Sequence, residues 1–380
     1  MFVVFIFIKS KDYLICGNKI HAVFFMSSGM EVAVLSWNMN GRDGLEIVPS
    51  IADCQQADIV LISLQECFSP SQSKVKKTMA KAFPHHNVVN VGRVYGLWSV
   101  VLCRNSGRTR DVDANTTRIG LGAFGMINKG ACISKLSNGV VFVSCHLSAH
   151  LENNARRMQQ IKSVFECIND RDTVSSTRLV VVAGDMNFRM TQRMSFDAQE
   201  MHGTNEAPAR SSINRALHEH PESMYAVEHD QCNEFNKQYP MFQEDAITFL
   251  PTYKYEVGSS CFSDKQHPSW CDRVFVSSCS DVQFIKYISD PSIMLSDHKP
   301  IVCKFNAAES TPDDCGNQVI PGVGYDSHVF TRIATWIYCF MHEYYDVMVV
   351  AAVPIFVVVL IKTKAMNTRL KDTEQMQGHR

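Results

Sequence analysis

Residues 179–190 read LVVVAGDMNFRM: an aliphatic run leads directly into Gly184, Asp185, Asn187 and Arg189. Burying an acid, an amide and a guanidinium without partners costs on the order of several kcal/mol. Such a strand end is therefore satisfied by turn contacts or faces a site that uses it. The pattern recurs along the chain. Asn38 and Asn40 follow VAVLSW, Gln65 and Glu66 follow DIVLISL, His146 closes VVFVSC with His150 four residues on, and Asp297 and His298 precede KPIVCKF. One polar strand end is ordinary turn chemistry; five, each carrying a carboxylate, amide or imidazole, point to a shared site. Adjacent strands gather such ends at one sheet edge, where open α/β sheets bind ligands.

The residue types narrow the chemistry. Glu66, Asp185 and Asp297 are hard oxygen donors or bases, which suit Mg²⁺ better than zinc. No CxxC pair and no Cys/His spacing of the zinc kind occurs among the fourteen cysteines. Lys129, Arg189, Lys254, Arg273 and Lys299 suit a substrate bearing several phosphates. The net charge of −1 lacks the basic excess of a nucleic-acid binder, and no nucleic-acid partner is expected.

Short Val- and Ile-rich runs at 32–37, 58–64, 98–103, 139–147, 178–184, 272–277 and 300–305 must position these groups. Strands apolar throughout imply sheets covered on both faces. Between 147 and 178, Leu151, Ala155, Met158, Ile161, Phe165 and Ile168 fall at helical steps and predict one apolar helix face. Arg156 and Arg157 read as structural ion pairs on its polar side. A second helix is expected near 73–83. The coarse reading is one large α/β domain over 31–306.

Outside that span, residues 1–30 are read as an extension of uncertain standing, an alternative start or an apolar strand. Residues 307–330 carry Pro, Gly, Ser and Asp without period and form a linker. Within 331–380, residues 347–361 hold no charge; with the three residues before them they give about 27 Å of helix, close to a hydrocarbon core of roughly 30 Å. Aromatic residues flank one end, and Lys362 and Lys364 the other. A C-terminal transmembrane helix with a basic tail is expected. Scattered cysteines in apolar runs read as reduced thiols, so the catalytic domain is expected in the cytoplasm, membrane-anchored on an endomembrane such as the endoplasmic reticulum.

Eight motifs occur in a recognisable order: SWNMNG (36–41), LQE (64–66), NKG (128–130), SCHLSAH (144–150), GDMNFR (184–189), PTYKY (251–255), PSWCDR (268–273) and SDHKP (296–300). Over roughly 31–306 the chain resembles the inositol polyphosphate 5-phosphatases of the endonuclease/exonuclease/phosphatase superfamily. The resemblance implies a four-layer αββα sandwich of the DNase I-like kind and Mg²⁺-dependent hydrolysis of the 5-phosphate of phosphoinositides such as PtdIns(4,5)P₂ and PtdIns(3,4,5)P₃, with phosphoinositide lipids and membrane as partners and soluble inositol polyphosphates as further substrates. By the same resemblance Glu66, helped by Asn40 and supported by Asp297, holds the metal. Asp185 activates water, Asn187 and His146 contact the phosphoryl group, and His298 binds it with Asp272 fixing its tautomer. Tyr253, Lys254 and Arg273 recognise a neighbouring phosphate, with Lys129 and Arg189 alongside. Trp270 and Cys271 read as packing, and His150 as a polar residue at a helix start.

Two features depart from the family pattern. Ala131 stands where a second glycine usually follows NKG, which strains the backbone if φ is positive there. Met186 and Phe188 replace the common Leu and Tyr. The alternatives are another superfamily phosphodiesterase, an abasic-site nuclease or a sphingomyelinase, or a phosphoinositide-binding membrane protein of weak turnover. PTYKY and PSWCDR weigh against the phosphodiesterases, and the intact Glu66, Asp185, Asn187 and His298 against a mere binder.

Overall fold

A computed structural model describes residues 29–51, 54–68, 70–105, 107–122, 128–168, 177–191, 229–263 and 265–308, and the backbone of 4–8, 11–16 and 19–22. In the N-terminal stretch β1 (Val4–Ile8), β2 (Lys11–Cys16) and β3 (Lys19–Ala22) pair antiparallel, in that order. The expected membrane span lies outside the described residues, among which no helix is long and apolar enough to cross a membrane.

Two further sheets carry the fold. In chain order their strands are β4 (Met30–Asn38), β5 (Ile59–Gln65), β6 (His86–Val94), β7 (Leu97–Arg104), β8 (Ala114–Gly120), β9 (Gly130–Leu136), β10 (Val140–His146), β11 (Leu179–Asp185), β12 (Asp272–Ser278), β13 (Val282–Ser289) and β14 (Ile301–Ala307). One sheet runs β13-β14-β4-β5-β7-β6 and the other β12-β11-β10-β9-β8. The sheets pack face to face through Val32, Val34, Ile59, Leu61, Phe142, Val181, Val274 and Cys303.

Helices cover the outer faces. After a short turn of helix, α1 (Val48–Ile51), α2 (Gln72–Ala82) starts where the Ser71 hydroxyl accepts the Lys74 N–H at 3.2 Å. It buries Val75 and Met79, one turn apart, against Leu35, Ile62 and Leu102. On the other side α3 (Asn154–Ile168) sets Met158, Ile161, Phe165 and Ile168 on Val141, Val143 and Val182, joined by Phe235 of α4 (Cys232–Gln238). Helix, sheet, sheet, helix is the four-layer α/β sandwich.

The helix reading is corrected in three places. Leu151 lies in a 3-10 turn before α3 and is 43% exposed, and Ala155 is exposed. Arg157 is fully buried and hydrogen-bonds carbonyls rather than forming an ion pair. Ala131 is not strained, because it lies inside β9 and is absent from the positive-φ positions. The glycine needed there is Gly130, where a Cβ would stand 2.6 Å from the Val94 side chain and 2.9 Å from the Ile119 carbonyl. Ten described cysteines are free, but Cys279 is disulfide-bonded, which the reduced-thiol reading did not anticipate.

Strand parity places the polar ends. With a period of two, one face of β4 reads Val32, Val34, Ser36, Asn38; β5 reads Ile59, Leu61, Ser63, Gln65; β10 reads Val140, Phe142, Ser144, His146; β11 reads Leu179, Val181, Ala183, Asp185. These are the faces the sheets turn toward each other. The layer between them passes from aliphatic groups to small residues and then to acids, amides and imidazoles. At the serine level the sheets touch through Ser63 Oγ and Ser144 Oγ, 2.6 Å apart.

Candidate active site

Register aligns the functional ends. Asp272 lies opposite Asp185, and Asp185 opposite His146, so neighbouring strands β12, β11 and β10 end on one row. In the facing sheet Asn38 lies opposite Gln65. The Asn38 amide crosses between the sheets and donates to Asp185 Oδ2 at 3.0 Å, while the Asn187 N–H donates to Asp185 Oδ1 at 2.9 Å. Both oxygens of this buried carboxylate are thereby oriented. Gly184 permits the close approach of β10: a Cβ there would stand 1.9 Å from the Cys145 carbonyl oxygen.

Beside Asp185, His146 Nε2 is 3.3 Å from Asp185 Oδ2 and 3.8 Å from Glu66 Oε1, and the Lys129 ammonium contacts the same nitrogen. Glu66 and Asn40 stand together because the Met39 N–H donates to the Gln65 carbonyl at 2.8 Å and the Gly41 N–H to the Glu66 carbonyl at 2.9 Å. Asn40, Glu66, Asn128 and Asn187 all take positive φ, between 47° and 54°. Non-glycine residues in that conformation are uncommon and concentrate at functional sites.

On the other side, His298 Nδ1 is bonded to Asp272 Oδ2 at 2.8 Å, and the Thr252 hydroxyl donates to the same oxygen at 2.7 Å. The backbone of His298 is held as well, its carbonyl accepting from Trp37 Nε1 at 3.1 Å and its N–H donating to Ser296 Oγ at 3.1 Å. Its Nε2 faces Asp185 Oδ2 at 4.0 Å. The Tyr253 ring lies 4.4 Å from the imidazole, and the Arg189 guanidinium 4.3 Å above the Tyr253 ring. Arg189 Nη2 donates to Asn187 Oδ1 at 2.5 Å. Lys254 pairs with Asp297 at 3.3 Å and reaches the Tyr253 hydroxyl at 3.4 Å.

Electrostatics separates the two histidines. Burial disfavours the His298 imidazolium, but the Asp272 and Asp185 carboxylates outweigh it and raise its pKa to about 9. His146 is pushed below the usual imidazole value by burial and by the Lys129 charge. Burial likewise lowers Lys129. Asp185, which burial would raise, is held below the carboxylate range by its bond to His146 and the charges of His298 and Lys129. The cleft thus holds one cationic imidazole, one neutral imidazole and one firmly ionised acid.

Eleven of the thirteen residues expected at the site are joined by these contacts; Asn40 stands beside Glu66 with its N–H donating to Asn38 Oδ1 at 3.0 Å, and Arg273 is not among them. Its side chain is fully buried on the helix-covered side of β12, paired with Asp230 at 2.8 Å and with Glu244, near the Phe275 ring. A guanidinium so paired is removed from any substrate in the cleft. Lys299 is also turned away, donating to the carbonyls of Ile293 at 2.8 Å and Ser259 at 3.2 Å. Asp297, expected on the metal side, is engaged by Lys254. His150 is exposed with φ 76°. Trp270 and Cys271 are buried packing, and Phe188, without a hydroxyl, lies among Phe235 and Phe275. Sequence reasoning missed the contacts of Asn38 and Thr252 and that of Gln231, whose Oε1 accepts the Arg189 N–H at 3.1 Å. Strand parity signals the first; the other two are loop residues with no periodic signal.

The donor set fits a hard divalent cation. Glu66, Asp185, Asp272 and Asp297 place four carboxylates in a cleft whose flanking cations are Lys129, Arg189, Lys254 and His298. Among the described residues Gln65 Oε1, Asn128 Oδ1 and Asp272 Oδ1 are buried acceptors without a hydrogen-bond partner. Asp185, Asp272 and His298 offer ligand atoms within 4.8 Å of one another and can hold a metal ion. They would do so at the expense of the His298–Asp272 bond. Glu66 meets His146 at 3.8 Å and lies within the field of Lys129.

A model of endonuclease/exonuclease/phosphatase family 2 matches residues 35–304. Type IV inositol polyphosphate 5-phosphatase 11 of Arabidopsis thaliana is 25% identical over 296 residues, covering 73% of this chain and 83% of the plant protein. Phosphatidylinositol 4,5-bisphosphate 5-phosphatase A of Rattus norvegicus is 24% identical over 339 residues, 75% of this chain but only 32% of the rat protein's length. Among solved structures, the inositol polyphosphate 5-phosphatase domain of a synaptojanin, crystallised with inositol (1,4)-bisphosphate and calcium, superposes with a TM-score of 0.58 at 24% identity, covering 74% of this chain and 84% of that one. At that identity it speaks for the fold.

Proposed function

The chain belongs to endonuclease/exonuclease/phosphatase family 2, and from that premise we propose that it is a hydrolase removing the 5-phosphate of inositol polyphosphates and phosphoinositides, PtdIns(4,5)P₂ and PtdIns(3,4,5)P₃ among them. One observation carries the reading: Asp185, oriented through both its oxygens, faces the imidazole that Asp272 keeps protonated, inside a cleft flanked by Lys129, Arg189 and Lys254. The names of the plant and rat relatives support the substrate class.

In this mechanism Asp185 orients a water for in-line attack on phosphorus and takes its proton. Its depressed pKa makes it a weak base, so its chief contribution is position. His298 Nε2–H and the Asn187 amide donate to the phosphoryl oxygens as charge shifts onto them. Tyr253, clamped between Arg189 and His298, presents Lys254 to a neighbouring phosphate, which competes with Asp297 for the ammonium. Lys129 and the neutral His146 line the opposite side. Glu66 and Asn40 would hold Mg²⁺; when bound, the ion supplies charge neutralisation for the phosphoryl oxygens and the leaving alkoxide.

The lipid forms are proposed on the charge-free run at 347–361, which as an anchor keeps the cleft near headgroups on a cytoplasmic membrane face and raises their effective concentration. The test is phosphate release from inositol polyphosphates and from liposomes, with abasic DNA as control. Asp185→Ala is expected to lose about 10³-fold or more in turnover. Turnover no lower than wild type would overturn the mechanism. Removing residues 331–380 should slow hydrolysis in liposomes and spare soluble substrates; unchanged liposome hydrolysis would remove the case for an anchor.

A further inference from the structure

Two side-chain amides in this molecule are each locked in orientation by a guanidinium, and the two locks are in series. Arg157 projects from α3 into the interior. Its Nη1 donates to the carbonyls of Ser148 at 2.8 Å and His150 at 2.7 Å, and its Nη2 contacts Gln231 Oε1. That oxygen also accepts the Arg189 N–H at 3.1 Å, and Gln231 Nε2 donates to the Leu151 carbonyl at 2.8 Å. The Gln231 N–H in turn donates to the Arg189 carbonyl at 3.1 Å. A single residue, reached by the chain 42 positions after Arg189, therefore engages both main-chain groups of Arg189. Arg189 then passes the constraint on, its Nη2 donating to Asn187 Oδ1 at 2.5 Å.

A guanidinium has donors only, so an amide facing it must turn its oxygen inward. Rotating the Gln231 amide by half a turn would set its NH₂ against Arg157 Nη2 and against the Arg189 N–H. Rotating the Asn187 amide would do the same against Arg189. The Asn187 NH₂ is left with one hydrogen on the Leu147 carbonyl, at 3.0 Å, and a second to give. The positive φ of Asn187, 54°, has no glycine to relieve it, so surrounding contacts must hold the turn.

We propose that Gln231, keyed by Arg157, is a positioning residue for the Asn187–Arg189 turn and acts on the reaction through the Asn187 amide. The proposal rests on the hydrolase reading. Gln231→Met, close in volume, removes both ends of the amide; Gln231→Glu keeps the acceptor for Arg157 and Arg189, adds a negative charge beside the Arg157 guanidinium and replaces the donor to Leu151 by an acceptor.

The experiment is a double-mutant cycle on the full chain, with inositol 1,4,5-trisphosphate as substrate and initial rates of phosphate release in Mg²⁺. Gln231→Met is expected to lower kcat by about 10–100-fold with KM within about threefold. Gln231→Glu should recover most of that loss. In an Asn187→Ala background, Gln231→Met should add less than about twofold, because the group it positions is gone. Losses that multiply across the cycle, or a Gln231→Met enzyme as fast as wild type, would overturn the positioning role while leaving the hydrolase reading in place. A wild-type chain that releases no phosphate would instead sink that reading, and the proposal with it. If Gln231→Met does not fold, Arg157→Lys enters the same cycle, with the same non-additivity expected and multiplying losses refuting it.

Discussion

Replacing Asp272 by Asn removes one charge and turns the unpartnered Oδ1 into an NH₂. The carboxylate accepts from His298 Nδ1 at 2.8 Å and from the Thr252 hydroxyl at 2.7 Å through the same oxygen, and an amide oxygen can keep both bonds. What it cannot keep is the negative charge that, with Asp185, raises His298 to about 9 against burial. The gap from the ordinary imidazole value of 6.5 corresponds to about 3 kcal/mol in favour of the imidazolium. At pH 7.5 a group with pKa about 9 is roughly 97% protonated, whereas one at 6.5 is roughly 9% protonated. If His298 must donate to the phosphoryl group, Asp272→Asn loses about tenfold or more in kcat/KM at pH 7.5 and recovers most of it near pH 5.5. The assay is phosphate release from a soluble inositol polyphosphate across pH 5 to 10 at saturating Mg²⁺, with His298 followed by NMR. A variant that keeps the wild-type basic limb, or stays within threefold at pH 7.5, would show that the His298 charge is not what the reaction uses.

Glu66→Gln should raise the Mg²⁺ concentration for half-maximal activity by about 10–100-fold, measured by titrating metal into EDTA-treated enzyme; an unchanged requirement would move the ion elsewhere. Gly184→Ala should destabilise the fold by more than about 3 kcal/mol in urea denaturation, because its Cβ meets the Cys145 carbonyl at 1.9 Å in a backbone with φ 153°. His86, held below the usual imidazole value first by burial, is favoured neutral in the fold. Its contribution to stability is therefore present above about pH 6.5 and lost as pH falls below it, and His86→Phe should flatten that part of the profile between pH 7.5 and 5.

The seven aliphatic runs are all strands, because burial on both faces writes itself as unbroken Val and Ile. In the two larger sheets the four strands that the pattern did not reveal, β6, β8, β9 and β13, lie at or next to sheet edges, where one face meets solvent or polar neighbours. In β8 the sequence ANTTRIG carries no aliphatic signal until its end. Site residues on strand ends were legible because parity and motif agree, as at Asp185 and His146. Arg273 was misjudged for the same reason it is well packed: a motif names a residue but not the face it points to. It is one step beyond Asp272, and one step along a strand reverses the side chain. Arg157 failed differently, since periodicity counts an arginine as polar while the fold uses it to satisfy loop carbonyls. Gln231 follows a stretch with no period at all, and nothing local distinguishes it from a surface amide.

The Ser63–Ser144 contact fixes how far apart the two sheets stand just beneath the reacting groups. It acts as a shim: the smallest hydroxyl side chains set the gauge of the opening above them. Thickening that spacer by a methyl or two would lever the jaws apart while leaving Glu66, Asp185 and His298 chemically intact. The width of the opening above them is therefore set from below, by two side chains that are themselves fully buried.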